Sequence, residues 1–179
     1  IIDVFRAFTT ECYVINNGAD KIIPVGSLDL AYKLKTENQD FVLMGEQNGE
    51  MQKDFDYGNS PFKIKDVDFI GKTVVHISTA GTKGLNNASG AGEIITGSFV
   101  NVYAITRYIK SKNPDILSLV CTGTDNETIM DEDALCAEYI KNDLLGIPND
   151  FASIVKHLKD GGYIDRFLDP AIPKYPIQD

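Results

Sequence analysis

The chain has 179 residues, 43% hydrophobic and 24% charged, which is enough for one compact domain with a buried core and argues against disorder. Its net charge of −9 comes from 17 basic and 26 acidic residues with no basic run, which excludes a partner bound by neutralising nucleic-acid phosphates. No apolar run approaches the roughly 18–20 residues that span a bilayer, and three widely spaced cysteines, Cys12, Cys121 and Cys136, argue against a disulfide framework or a zinc knuckle.

The chain opens on strand sequence, Ile1–Val4, and so reads as trimmed at its front; the cytoplasm is the expected compartment. Asp3 closes this strand and Arg6 stands in the turn after it. An acid there suits a hard cation, and an arginine suits a bidentate phosphate or carboxylate contact. An Asp–Arg ion pair explains the spacing as well. Thr9 or Thr10 can cap a helix running to Asn17, with Phe8, Cys12 and Ile15 on one face. The Lys21–Val25 strand follows, then a helix capped by Ser27 with Leu28, Ala31 and Leu34 inward. The next strand, Phe41–Gly45, delivers Glu46 to its end, where it can face the same cleft as Asp3 or lie solvated in a loop. The connection 46–72 is long and without helical pattern, which a compact domain rarely carries without a use. It holds Asn59 and Ser60, and a division into two sub-lobes would fall near 60–72.

The Thr73–Thr79 strand places His76 mid-strand, as a packed core histidine. After it, Ser78, Thr79, Gly81 and Thr82 form a small, hydroxylated turn that lets backbone N–H groups approach an oxyanion, or serves as a capped turn. The Glu93–Gly97 strand leads into Ser98 and Asn101 at a helix start, marked onward by Val102, Ile105 and Ile109. The Asp115–Cys121 strand leads into Thr122 and Gly123. The acids Asp131, Glu132 and Asp133 then open a helix with Leu135, Cys136, Tyr139, Ile140 and Leu144 as its apolar stripe. Acids at that position complement the helix dipole by themselves. A last helix spans about Phe151 to Lys159. Alternating strands and helices predict a three-layer α/β/α domain over 1–179 with a largely parallel or mixed sheet, and ligands bind such sheets beyond the carboxyl ends of the strands.

Taken in order, these segments resemble the 2-phosphosulfolactate phosphatase family. The opening I-D-V-x-R-A-x-T-T, the later N-G-A and the I-P-V strand match Ile2 through Val25. G-E-x-x-G and F-D-x-G-N-S-P match Gly45–Gly49 and Phe55–Pro61. T-x-x-G-T, G-S-F-x-N, C-x-G-T and E-D-x-x-C-A match at Ser78–Thr82, Gly97–Asn101, Cys121–Thr124 and Glu132–Ala137. Many members carry Asn in the T-x-x-G-T loop, where this chain has Ala80, and members extend further at both ends.

The resemblance implies a Mg²⁺-dependent hydrolase acting on 2-phosphosulfolactate or a related 2-phospho-hydroxycarboxylate, a small anionic ester, in coenzyme M biosynthesis. A homodimer is the assembly to test, with neither nucleic acid nor membrane as partner. Mg²⁺ is expected on Asp3, Glu46, Glu132 and Asp133, and phosphate on Arg6 with Thr9, Thr10, Asn59, Ser60, Ser78, Thr79, Gly81, Thr82, Ser98, Asn101, Thr122 and Gly123. Two rivals stand beside it: a non-catalytic binder of small acids on the same fold, and a haloacid-dehalogenase-type phosphatase with Asp3 as nucleophile, whose D-x-D motif meets Phe5 here.

Overall fold

A computed structural model describes residues 1–124, 128–169, 171–172 and 175–179. Three strands form a continuous parallel sheet in the order β1 (Lys21–Val25), β3 (Thr73–Ile77), β2 (Val42–Gly45). The register sets both Ile22 and Val42 against Val74. Val74, Val75, His76 and Ile77 are all buried, as a central parallel strand covered on both faces requires.

One face packs Val74 and Met44 against Val14 of α1 (Ala7–Asn16) and Ile64 of α3 (Pro61–Ile64). The other packs Val75 and Leu43 against Ala31 of α2 (Leu28–Glu37) and against Phe55. These are the three layers the alternation predicts. Ser27 caps α2 through the Leu30 N–H at 3.4 Å, as expected from its position.

The other three predicted strands are reduced to single rungs. Ile2 makes one parallel bridge to Gly97 and one to Cys121. The Asp3 N–H donates to the Gly97 carbonyl, and the Thr122 N–H to the Ile2 carbonyl. The ladder cannot lengthen past Asp3, because its Oδ1 accepts from the Ala7 N–H and starts α1. That contact also moves the helix start ahead of the expected Thr9 or Thr10 cap. This array rests on α5 (Val102–Lys112) and α6 (Asp131–Leu145), with Ile2, Val4, Val102, Cys136 and Ile140 forming a separate core cluster. Two further helices follow, α7 (Phe151–Asp160) and α8 (Asp165–Leu168), with α4 (Gly81–Asn87) lying earlier, after β3.

Part of the long connection folds back on β2: Met44 bridges Tyr57, and the Gly45 N–H donates to the Tyr57 carbonyl. Gly45 has φ +128° and lies against the Ile77 carbonyl, which a Cβ would meet at 1.8 Å. Only glycine fits that approach, and it aims Glu46 back across the end of β3. Among the described residues, no helix is long and apolar enough to cross a membrane.

Candidate active site

A cavity of about 380 Å³ opens beyond the carboxyl ends of the strands. Four carboxylates line it: Asp3, Glu46, Glu132 and Asp133. Arg6, Asn59, Thr79 and Gly123 line it too, as the sequence predicts for site residues.

Backbone contacts set the two aspartates. Asp3 is 8% exposed, with Oδ1 accepting from the Ala7 N–H at 3.0 Å. Asp133 joins distant parts of the chain: its Oδ1 accepts from the Val4 N–H at 2.8 Å and its Oδ2 from the Gly123 N–H at 3.0 Å. So the acidic opening of α6 does more than complement a dipole; it ties that helix to the end of the first segment. Gly81 closes behind Asp3. A Cβ there would stand 2.6 Å from Asp3 Oδ2 and 3.1 Å from Ser78 Oγ. Gly81→Ala is therefore expected to push Asp3 out of place and cost at least tenfold in turnover, on the order of the effect of a 1 Å displacement at a reacting centre. Steady-state kinetics beside a melting curve check this, since a loss of turnover without a matching loss of fold is the expected pattern.

Glu46 is spent largely on its own loop. Its Oε1 accepts from the Thr79 N–H at 2.7 Å, and its Oε2 accepts from Thr79 Oγ1 at 2.8 Å and from the Gly49 N–H. The Thr79 N–H, expected to meet a substrate oxygen, thus meets Glu46. Glu132 accepts from Arg166 Nη2 at 3.3 Å through Oε1, while its buried Oε2 has no hydrogen-bond partner among the described residues.

Crowding of acids in a buried space has an electrostatic cost. Burial, then the neighbouring Asp133 charge, pushes the Asp3 carboxyl up to about 8, against the Ala7 N–H that lowers it; Glu46 and Glu11 add to the rise. Burial pushes Asp133 up to about 6, with the Val4 and Gly123 N–H groups opposing and Glu132 adding to it. Glu132 is also raised, by burial first, with Arg166 opposing.

Several predicted groups do not line the cavity. Thr9 Oγ1 donates to the Val4 carbonyl and Thr10 Oγ1 to the Arg6 carbonyl, each at 2.8 Å. Ser78 and Thr82 pair reciprocally, side chain to backbone, at 2.8 and 2.9 Å. The Asn101 amide oxygen accepts from the Ser98 N–H at 2.9 Å, and Thr122 Oγ1 donates to the Ile2 carbonyl at 3.1 Å. Ser60 caps α3 through the Lys63 N–H. These hydroxyls and amides build the loops that carry the site. Ala80 is on the cavity wall.

Sequence reasoning missed Arg166 and Tyr175, which also line the cavity. The Tyr175 ring lies 4.7 Å from the Arg6 guanidinium and 5.6 Å from that of Arg166. Arg6 Nη1 donates to the Asp179 carboxylate, a partner the sequence did not suggest. Neither residue sits in a periodic segment, and the one available signal was that Arg166 follows the Gly161-Gly162 break.

All the carboxylate donors here are oxygens, and three of the acids are held above their ordinary range. With the partnerless Glu132 Oε2, this is the environment a hard cation suits. Among the described residues, no three His, Cys, Asp or Glu side chains converge closely enough to hold a metal ion by themselves.

A family model described as 2-phosphosulpholactate phosphatase matches residues 1–167. A relative named probable 2-phosphosulfolactate phosphatase from Caldicellulosiruptor saccharolyticus is 41% identical over 143 residues, covering 78% of this chain and 59% of the relative. One of the same name from Thermotoga petrophila is 38% identical over 141 residues, covering 79% and 60%. Another, from Carboxydothermus hydrogenoformans, is 39% identical over 140 residues, covering 78% and 57%. The chain thus spans about three fifths of the length of these relatives.

Proposed function

The chain belongs to the 2-phosphosulpholactate phosphatase family, and from that premise and the charge of its cavity we propose that it is a Mg²⁺-dependent phosphatase of 2-phosphosulfolactate or a closely related 2-phospho-hydroxycarboxylate. The observation that carries the reading is one cavity lined by three buried acids, Asp3, Glu132 and Asp133, each raised in pKa, together with Arg6 and Arg166. A cavity of acids repels a phosphate ester unless a cation intervenes.

Asp3 and Glu132 would hold Mg²⁺, with Asp133 beside them. Two protein carboxylates suit an ion that usually keeps several waters and takes the rest of its contacts from substrate phosphate. When bound, the ion supplies neutralisation of the phosphoryl oxygens and polarisation of the P–O bond. Glu46, engaged by Thr79 and Gly49, shapes the loop that borders it. Arg166, whose guanidinium meets Glu132 on the cavity wall, would hold an oxygen of the transferring phosphoryl group. The Tyr175 ring lies against both guanidinium groups. In the net reaction the ester P–O bond breaks, the oxygen and one proton of a water molecule end on phosphorus as inorganic phosphate, and its other proton goes to the leaving oxygen. The leaving alkoxide takes a proton to give the 2-hydroxy acid. The protein would then act in the cytoplasm, in coenzyme M biosynthesis or in another route that consumes such esters.

A panel of esters tests the substrate class. Phosphate release with Mg²⁺ is expected to be at least about tenfold faster in kcat/KM from 2-phosphosulfolactate or 2-phospholactate than from p-nitrophenyl phosphate, which lacks the adjacent carboxylate. Equal rates on all three contradict the assignment to 2-phospho-hydroxy acids. Binding of these compounds with no release from any favours a non-catalytic module.

A further inference from the structure

A second cavity, of about 340 Å³, lies among α1, β1, α4 and the segment 94–96 and shares no lining residue with the reaction cavity. Its apolar walls are Ile22, Pro24, Leu85 and Ile94, and its polar groups are Glu11, Asn86 and Thr96. No basic side chain lines it.

Glu11 is 7% exposed, and its Oε1 meets Nδ1 of the fully buried His76 at 2.9 Å. His76 Nε2 is buried with no hydrogen-bond partner among the described residues, so a proton there would be an unsatisfied donor. The neutral ring fits this geometry: it donates through Nδ1, and Glu11 keeps its negative charge. Among the described residues, Glu11 has no Lys or Arg partner and its Oε2 makes no hydrogen bond. A carboxylate buried to this degree is ordinarily paired with a cation.

We propose that this cavity binds a small primary ammonium compound with an apolar tail, its nitrogen seated on Glu11. The three N–H donors of such a group match three acceptors on the cavity wall: Glu11 Oε2, the Asn86 amide oxygen and the Thr96 hydroxyl. Asn86 Nδ2 donates to the Thr82 carbonyl at 2.8 Å, which leaves its oxygen as the acceptor for a ligand. The aliphatic walls take the tail, and the volume is in the range of small-molecule sites. The occupant rests on α4, whose first residue, Gly81, backs Asp3. The proposal does not depend on the phosphatase reading.

NMR titration of the full chain with n-butylammonium, ammonium and butyrate tests it. n-Butylammonium is expected to give saturable shifts at Glu11, Leu85 and Thr96, with ammonium at least about tenfold weaker because it buries no methylene groups. Butyrate, of the same size and opposite charge, is expected to shift none of the three. Glu11→Gln keeps an acceptor for His76 and is expected to weaken n-butylammonium at least about tenfold, through loss of the charge-assisted bond. Ile94 is 38% exposed, so Ile94→Trp narrows the mouth with Glu11 in place and is expected to weaken binding as much. Circular dichroism verifies each fold, and Ile94→Trp decides the matter should Glu11→Gln not fold. The absence of saturable shifts from n-butylammonium overturns the proposal, as does equal binding of butyrate. Ammonium binding as tightly as n-butylammonium would mark a bare cation site and overturn it too, as would a Glu11→Gln or Ile94→Trp variant that binds like the wild type.

Discussion

Asp3→Asn is expected to lower phosphate release by at least about a thousandfold, since it removes a charge placed to hold the cation at the reacting group. The same change is expected to stabilise the metal-free protein. The Asp3 carboxyl is raised to about 8, above its ordinary value of 3.8, so its ionisation opposes folding. An asparagine can keep the contact to the Ala7 N–H without a charge to bury. At about 1.4 kcal/mol for each tenfold change in proton affinity, the relief amounts to a few kcal/mol at most. In a chain of this size that corresponds to a rise in Tm of about 5 °C at pH 8 in chelator. Activity lost together with stability would instead mark Asp3 as a structural residue.

Metal and pH are coupled through the same group. Asp3 with a folded pKa of about 8 is protonated at neutral pH in the metal-free protein, so binding a cation must release that proton. Mg²⁺ affinity is therefore expected to rise steeply between pH 6 and pH 8, by up to about tenfold per pH unit. Calorimetry in buffers of different ionisation enthalpy should show about one proton released at pH 7. For stability the sign is the opposite. A carboxyl whose folded pKa exceeds its unfolded one favours folding only while protonated. The metal-free protein should lose stability as pH rises from about 4 to about 8, with Asp133, raised to about 6, contributing to the lower part of that range. Thermal melts in chelator across that range measure it. Chelation is also expected to reduce turnover by about a thousandfold or more, and readdition of Mg²⁺ to restore it.

Much of the site's outline was legible because strand ends are legible. Asp3, Arg6, Glu46 and Thr79 follow apolar runs directly, and parallel sheets gather such positions along one edge. What each residue does there was less legible. A hydroxyl that meets a substrate and one that bonds the backbone four or five residues away have the same sequence signature, so Thr9, Thr10, Ser78 and Thr82 gave no warning of their turn toward the backbone. Asp133 had a sufficient local explanation as a helix-opening acid. Its bond to Val4 depends on packing across 129 residues, and its bond to Gly123 on the turn that brings the chain back ten residues earlier. Arg166, Tyr175 and Asp179 sit where no hydrophobic period organises the chain, so only the folded chain places Tyr175 and Asp179 against Arg6 and Arg166 against Glu132. The strands 93–97 and 115–121 carried the right composition but meet a partner, Ile2, that offers one rung on each side.

Phosphate release from 2-phosphosulfolactate, compared with and without Mg²⁺ in the wild-type chain and in Asp3→Asn, tests the central claim most directly. Rapid Mg²⁺-dependent release is expected from the wild type, release at background level in chelator, and background release from a variant that melts no lower than the wild type. Release that persists in chelator, or near-normal release from Asp3→Asn, would contradict a cation-dependent site built on Asp3.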